Sequence, residues 1–533
     1  MRRREVLRLA AALAGLPLMQ GCERVLRLGL PVRLNRPGMD EGHRLRAGLT
    51  PPEPAGERRC RVAVVGSGAA GLFAAWRLRK EGLDDVLVLN GPEPDGNAAG
   101  GAFGECRYPT GAHYLPLPSR ESTHVRELLA EMGVIEAAPY AERPRFDERV
   151  TVHAPDERLW RDGRWQEGLL PRLGMGKAEL AEQARFLAEM GRLRAARGAD
   201  GRKAFCIPLA LSSRDPAWTA LDRISFAAWL DANGYRAPGL RWYLDYCCRD
   251  DYGARPAQVS AWAGLHYFCS RGGLAANAEE GAVLTWPDGL NPVMRHMRAR
   301  IGAARQLDGA AWRIRERRGR AEVDYLDGQG GSRRLSAERV VVATPLFVAA
   351  HLCDALPSLG FQSRHLPPRA SWLTANFLID RFPEEPHDMP LAWDNVVYGS
   401  QSLGFVVSTH QLIRAAKPER SVFTAYHAFA GGDPMAARRW LERADSDALF
   451  DLAAADLSEV YGWRFRKNLR QAEMTLRGHA MASPAPGFLS NPGLLALREA
   501  DGPLLFAHSD LSGLSLFEEA AWWGERAARK ILA

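Results

Sequence analysis

The stretch Val62-Ala63-Val64-Val65-Gly66-Ser67-Gly68-Ala69-Ala70-Gly71 constrains this chain more than any other part of it. An apolar run of strand type leads into G-x-G-x-x-G, a helical pattern follows over 72–81, and a second apolar run covers 85–89. Strand, tight glycine turn, helix, strand is the setting in which these glycines mean dinucleotide binding, against the alternative of a Gly-rich turn with a purely structural role. Gly66 permits the turn, Gly68 lets backbone approach a pyrophosphate, and Gly71 lets the helix pack closely on the strand. The helix N-terminus at Ala69 and Ala70 then offers unpaired N–H groups and a positive dipole end to the phosphates. The second strand of such a unit commonly ends in an acid that accepts from the adenosine ribose. Here that place holds Asn90, which accepts only through an uncharged carbonyl oxygen.

At 533 residues the chain is too long for one simple core, and two domains are the expectation. Its formal charge is +7, of which Arg2, Arg3, Arg4 and Arg8 against Glu5 supply a good part, so the remainder is only mildly basic. No basic stripe interleaved with aromatics is present, which argues against nucleic acid as a partner. None of the eight cysteines forms C-x-x-C and there is no H-E-x-x-H, so no metal site is expected. The adjacent Cys247 and Cys248 read as packing residues rather than a disulfide.

The first 22 residues read as an address. Arg3-Arg4-Glu5-Val6-Leu7-Arg8 precedes a short apolar run over 9–19 and resembles a twin-arginine export signal. The run is too short to span a bilayer as a stable helix. It ends at Gln20-Gly21-Cys22, which resembles a lipoprotein processing site with Cys22 as the lipidated residue. The expectation is an exported, periplasmic protein, with membrane attachment through Cys22 as a further reading and a retained N-terminal helix as the alternative. Residues 23–57, rich in Arg, Pro and Gly, read as a tether.

Four separated segments then point to one family. The first is the glycine fingerprint. The second is Thr285-Trp286-Pro287-Asp288-Gly289-Leu290-Asn291-Pro292, the third Val340-Val341-Val342-Ala343-Thr344-Pro345-Leu346, and the fourth runs from Phe506 through Asp510 and Gly513 to Gly524-Glu525-Arg526-Ala527-Ala528. In this order they resemble the flavin-dependent amine oxidases and the related carotenoid-type desaturases. The resemblance implies an α/β fold with a doubly wound, Rossmann-like FAD-binding domain from 58–120, 281–350 and 471–533. A discontinuous substrate domain would come from 121–280 and 351–470. It implies FAD as cofactor, held by Gly66, Gly68, Ala69, Ala70, Gly71 and Asn90 at one end. At the other end Asp510 would accept from a cofactor hydroxyl, and Gly513, Ser515, Leu516 and Phe517 would lie at the flavin edge of the last helix.

Two features of the family are missing. The stretch Gly96-Asn97-Ala98-Ala99-Gly100-Gly101 lacks the arginine of a G-G-R element, and Ser371-Trp372-Leu373-Thr374-Ala375-Asn376-Phe377-Leu378 lacks a lysine. Hydride transfer needs only a substrate placed against the ring, so an oxidoreductase survives both losses. Candidates for the pocket are His113 and Tyr114, which follow Gly111, and His266 and Tyr267 in an aromatic stripe with Trp262. Packing is the competing role for each. Arg249-Asp250-Asp251-Tyr252 reads as a structural ion-pair turn, and Asp394 as a lone acid. The expected activity is oxidation of a small or apolar substrate by hydride transfer to flavin N5. A desaturase of an apolar substrate and a non-catalytic flavin-binding electron-transfer or assembly protein are the alternatives. The electron acceptor is open.

Overall fold

The computed structural model describes residues 29–48, 50–385, 389–416 and 418–533. The export segment and Cys22 lie outside the described residues. Two sheets organise the rest. The seven-stranded sheet is built on Glu57–Val65, whose last four residues, Val62 to Val65, are buried on both faces, as a strand in the middle of a parallel sheet must be. It pairs in parallel with Val86–Leu89 on one side and Ser332–Val342 on the other. Leu504–Phe506 adds in parallel beyond Val340–Val342, while the hairpin Gly309–Arg317 and Arg320–Asp327 pairs with the earlier half of Ser332–Val342. Helix Ala69–Lys80 crosses over between the first two strands and packs against the C-terminal helix Phe517–Leu532. Arg77 is buried and donates to Glu127 and Glu525, tying these two helices to Thr123–Glu131. This is the expected doubly wound dinucleotide-binding domain.

The eight-stranded sheet forms the second body. Its spine is Leu469–Ala482, Arg369–Asp380 and Arg420–Ala428, followed outward by Phe405–Val407, Asp394–Val397 and Glu157–Arg161. The period of two gives it two different faces. Leu373, Ala375, Phe377, Phe405, Phe423 and Ala425 pack against the helices of 434–468 as a dry core. The opposite face carries Trp372, Thr374, Asn376, Thr424, Tyr426, Asp394 and Glu157 in register, and it looks toward the first domain and toward helices Pro238–Tyr252 and Ala261–Ser270.

Three boundaries differ from expectation. Leu469–Ala482 belongs to the second sheet, so the return to the first domain falls near 482 rather than 471; pairing with Arg369–Asp380 on one side and Val32–Asn35 on the other decides this. Thr123–Glu131 and the stretch to Val150, together with 346–361, pack into the core of the first domain, beyond the boundaries at 120 and 350. The stretch read as a tether contains the strand Val32–Asn35 and the helix Met39–Arg46, because Val32 and Leu34 find apolar partners in the second core. The described cysteines, Cys247 and Cys248 among them, are unpaired.

Candidate active site

The glycine turn has the geometry its motif requires. Gly66 has φ +106°, and a Cβ there would lie 2.8 Å from the Ala343 carbonyl oxygen; a Cβ on Gly71 would lie 1.9 Å from the Gly66 oxygen. Gly68 is the opposite case, because nothing lies within 4 Å of the position its Cβ would take. Gly68 is also the N-cap of Ala69–Lys80 and brings no side-chain cap, so the first-turn N–H groups of Ala69, Ala70 and Gly71 face that open space. An uncapped helix end over an open glycine fits a pyrophosphate.

The ribose corner departs from the usual acid. The Asn90 amide donates to Asp308 Oδ1 (2.8 Å), and its Oδ1 accepts from Arg298 (2.9 Å). Arg298 also donates to Ser67 Oγ (2.8 Å) and to Asp95 Oδ1 (2.5 Å). Asn90 is therefore one member of a hydrogen-bonded network over the turn, in which Arg298, Asp95 and Asp308 were not legible as site residues from local pattern.

At the C-terminal end Asp510 is fully buried. Its Oδ2 accepts from the Leu346 N–H (2.9 Å) and its Oδ1 from Arg369 (2.5 Å), with His508 alongside at 3.3 Å. Burial alone would raise this carboxyl, but Arg369 and His508 outweigh it and hold it far below the ordinary range. Asp510 thus ties the end of Leu504–Phe506 to the start of Leu346–Leu352 and to the second sheet. Gly513 turns with φ +71°. Ser515 Oγ accepts from Ala482 N–H (2.8 Å), and Leu516 caps the last helix without a side-chain bond, with Phe517 buried behind it. Glu518 and Glu519 open that helix and are both pushed up to about 7 by burial. Glu519 accepts from Leu209 N–H (2.6 Å) and from Ser512.

A second space lies between the two sheets, and the segment from Tyr108 to Tyr114 joins it to the turn. The Asp95 N–H donates to Ser67 O (3.2 Å), and Ala112 N–H to Asn97 O (2.7 Å). On the far side Tyr426 OH donates to Gly111 O (3.2 Å), and His113 stacks on the Tyr426 ring at 4.5 Å. Tyr114 and Trp393 close on His113 edgewise and tilted. Helix Pro238–Tyr252 contributes Trp242, Tyr243, Tyr246 and Asp250, which share one face, and Ala261–Ser270 contributes Tyr267. The second sheet contributes Trp372, Tyr426 and Asp394. Asp250 and Asp394 lie deep in the molecule yet keep accessible surface, so that surface lines an internal space. Burial, then the Asp251 charge, pushes Asp250 up to about 7. Asp394 is raised further, first by burial and then by the charges of Asp250 and Glu157.

The candidate residues separate on this geometry. His113, Tyr114 and Tyr267 line the space. His113 is pushed down to about 3 by burial and is neutral, and Tyr114 and Tyr267 are raised by burial and stay protonated. His266 does not join them. Its Nε2 meets Cys206 O at 2.8 Å and its ring stacks on Trp262, so it is a core residue. The dense run after Tyr246 splits as well. Arg249 pairs with Asp245, and Asp251 pairs with Arg271, but these residues are the end of helix Pro238–Tyr252 rather than a separate turn, and Asp250 turns inward. Where a lysine was missing, the inward residues are Trp372, Thr374 and Asn376.

A family model described as an NAD(P)-binding Rossmann-like domain matches residues 64–132. Putrescine oxidase, solved with putrescine bound, superposes with a TM-score of 0.66 at 18% identity over 89% of this chain and 99% of that one. The chain has the amine-oxidase fold. Cyclohexylamine oxidase from Brevibacterium oxydans gives a TM-score of 0.61 at 19% identity, over 89% of this chain and 98% of the other. A fatty acid isomerase from P. acnes gives 0.58 at 15% identity, over 87% and 97%. A Baeyer-Villiger monooxygenase of Pseudomonas aeruginosa is 33% identical over 128 residues, 24% of this chain, and the match spans only 21% of the monooxygenase. The expected two-domain α/β architecture is thereby met along nearly the whole chain.

Proposed function

We propose that this protein is an FAD-dependent oxidoreductase of amine-oxidase type. The observation that carries the reading is continuity: one short segment, Tyr108 to Tyr114, touches the open glycine turn through Asn97 and Asp95 and lines the aromatic space through His113. FAD bound at the turn would supply a two-electron acceptor for a hydride. Gly66, Gly68, Ala69, Ala70 and Gly71 would hold its pyrophosphate, with Asn90 at the ribose. The uncapped end at Leu516 and Phe517 would face the other end of the cofactor.

The chain's own residues do the remaining work. Tyr114, Tyr243, Tyr246, Tyr267, Trp393 and Tyr426 exclude water and hold an organic substrate flat. His113 beside them is neutral, because burial pushes it down to about 3. The carboxyl groups favour a nitrogen-bearing substrate over a purely apolar one, and so favour amine oxidation over desaturation. Export through the 1–22 segment and attachment through Cys22 complete the proposal on sequence grounds. Fractionation of cells followed by mass spectrometry of the N-terminus tests both. The activity is tested by anaerobic titration of the yellow protein with amines and with polyenes. Bleaching by amines supports the reading; bleaching by polyenes alone replaces it with the desaturase.

A further inference from the structure

We infer that Asp250 and Asp394 form a carboxylate pair that makes the cavity select substrates carrying a cationic nitrogen distinct from the group that is oxidised. The inference rests on the cavity and deepens the proposed function.

Three observations meet at this pair. First, neither carboxylate has a cation of its own. Arg249 is spent on Asp245 and on the carbonyls of Gln401 and Ser402, and Arg271 on Asp251 and the face of Tyr267. Glu157, across from Asp394 in the parallel pairing, accepts from Leu169 N–H. Among the described residues no side chain donates to Asp250, and Asp394 has only the backbone N–H of Asn395. Second, Tyr246 is 4% exposed, and its hydroxyl has no partner among the described residues, although burying it sealed and unpaired would be costly. It stands within the field of both carboxylates. Buried indole N–H groups of Trp242 and Trp372 on the same walls are likewise unpaired. Third, the walls are aromatic, and ring faces attract organic cations most strongly where water is excluded. Unpaired acids, an unpaired phenol and ring faces around one enclosed space describe a receptor for an organic cation.

The chemistry of the nitrogen narrows the class. Burial raises both carboxyl groups, and the charges of Asp250 and Glu157 add to it at Asp394, so the empty site gains from a cation. A protonated nitrogen has no lone pair with which to assist loss of a hydride from its neighbouring carbon. The nitrogen countered by the pair is therefore an anchor, and oxidation takes place elsewhere on the same molecule.

The test uses full-length purified protein at pH 8 and a series of alkyltrimethylammonium ions from butyl to octyl, each against its neutral carbon isostere. Isothermal titration and quenching of tryptophan fluorescence read binding without turnover. The expected result is at least tenfold tighter binding of the cation for one chain length, falling below threefold in Asp250→Asn/Asp394→Asn and to an intermediate value in Asp250→Asn alone. Circular dichroism and melting establish that each variant is folded. No cation preference at any chain length, or a preference that survives in the folded double variant, overturns the inference. A colourless protein that keeps the preference removes the oxidoreductase reading and supports the inference. A yellow protein without the preference overturns the inference and spares the oxidoreductase.

Discussion

The glycine turn and the aromatic cavity are built on opposite principles. The turn uses backbone: the first-turn N–H groups of Ala69, Ala70 and Gly71 face open space, and the three glycines matter chiefly by lacking a side chain. The cavity uses side chains brought from a helix, a second helix, a loop and a sheet face, and its acids are unpaired. Substitution should therefore damage the turn by adding atoms and the cavity by removing charge. The contact between the two, through 95–97 and 111–113, is short and consists of backbone bonds.

The largest expected effect falls on neither region but on the ion pair that links the sheets carrying them. Arg369→Met leaves Asp510 charged, fully buried and without its ion pair, which should cost about 3–5 kcal/mol. Denaturant melts at pH 7 check this. Because the Asp510 carboxyl is held far below its ordinary value in the folded state, its contribution is present above about pH 4 and is lost as pH falls. The gap between wild type and variant should narrow on acidification. An unchanged melt would mean that the two domains do not depend on this pair.

Within the turn, Gly71→Ala sets a methyl 1.9 Å from a carbonyl oxygen and should cost at least ~1–3 kcal/mol along with cofactor retention. Gly68→Ala meets nothing within 4 Å and should melt like wild type while holding cofactor more weakly. The ratio of flavin to protein absorbance, read beside the melting curve, separates the two. If Gly68→Ala retained cofactor fully, the open space beside it would not be the phosphate site.

In the cavity the sign reverses. Asp250 is raised to about 7 from an ordinary 3.8, so between those values the folded protein holds a proton that the unfolded chain has released. Stability therefore falls as pH rises across that window. Asp250→Asn removes this penalty and should stabilise the protein by ~1–3 kcal/mol at pH 8, with no gain at pH 4. Stabilisation with loss of binding is the mark of a residue kept for function. Destabilisation at pH 8 would place an unseen partner on the carboxylate.

The smallest effect concerns His113. It is neutral and held by stacking, so His113→Phe should stay within about 1 kcal/mol of wild type and leave the pH dependence of turnover between 5 and 8 unmoved. Loss of a titration in that range would restore it as a base.

The two regions also differed in how far they could be read from sequence. The turn was legible because its requirement is local: small residues at fixed spacing between a strand and a helix. The inward turn of Asp250 was not. Arg249, Asp250 and Asp251 read as one polar run, and only the packing of Pro238–Tyr252 on the sheet decides that Asp250 faces in while its neighbours pair with Asp245 and Arg271. Asp394 comes to face the same space only because Asp394–Val397 pairs into the second sheet, in the register that puts it on the face of Thr424 and Asn376. The same kind of long-range pairing moved Leu469–Ala482 into the second sheet. His266 illustrates the converse: helical spacing puts it on one face with Trp262, and that face turns into the core, where the two rings stack, while the adjacent Tyr267 lines the space.

The most direct measurement is the absorption spectrum of the purified protein before and after acid precipitation. The account predicts flavin bands in the folded protein and FAD in the clear supernatant. A colourless protein that remains colourless after incubation with FAD would contradict it.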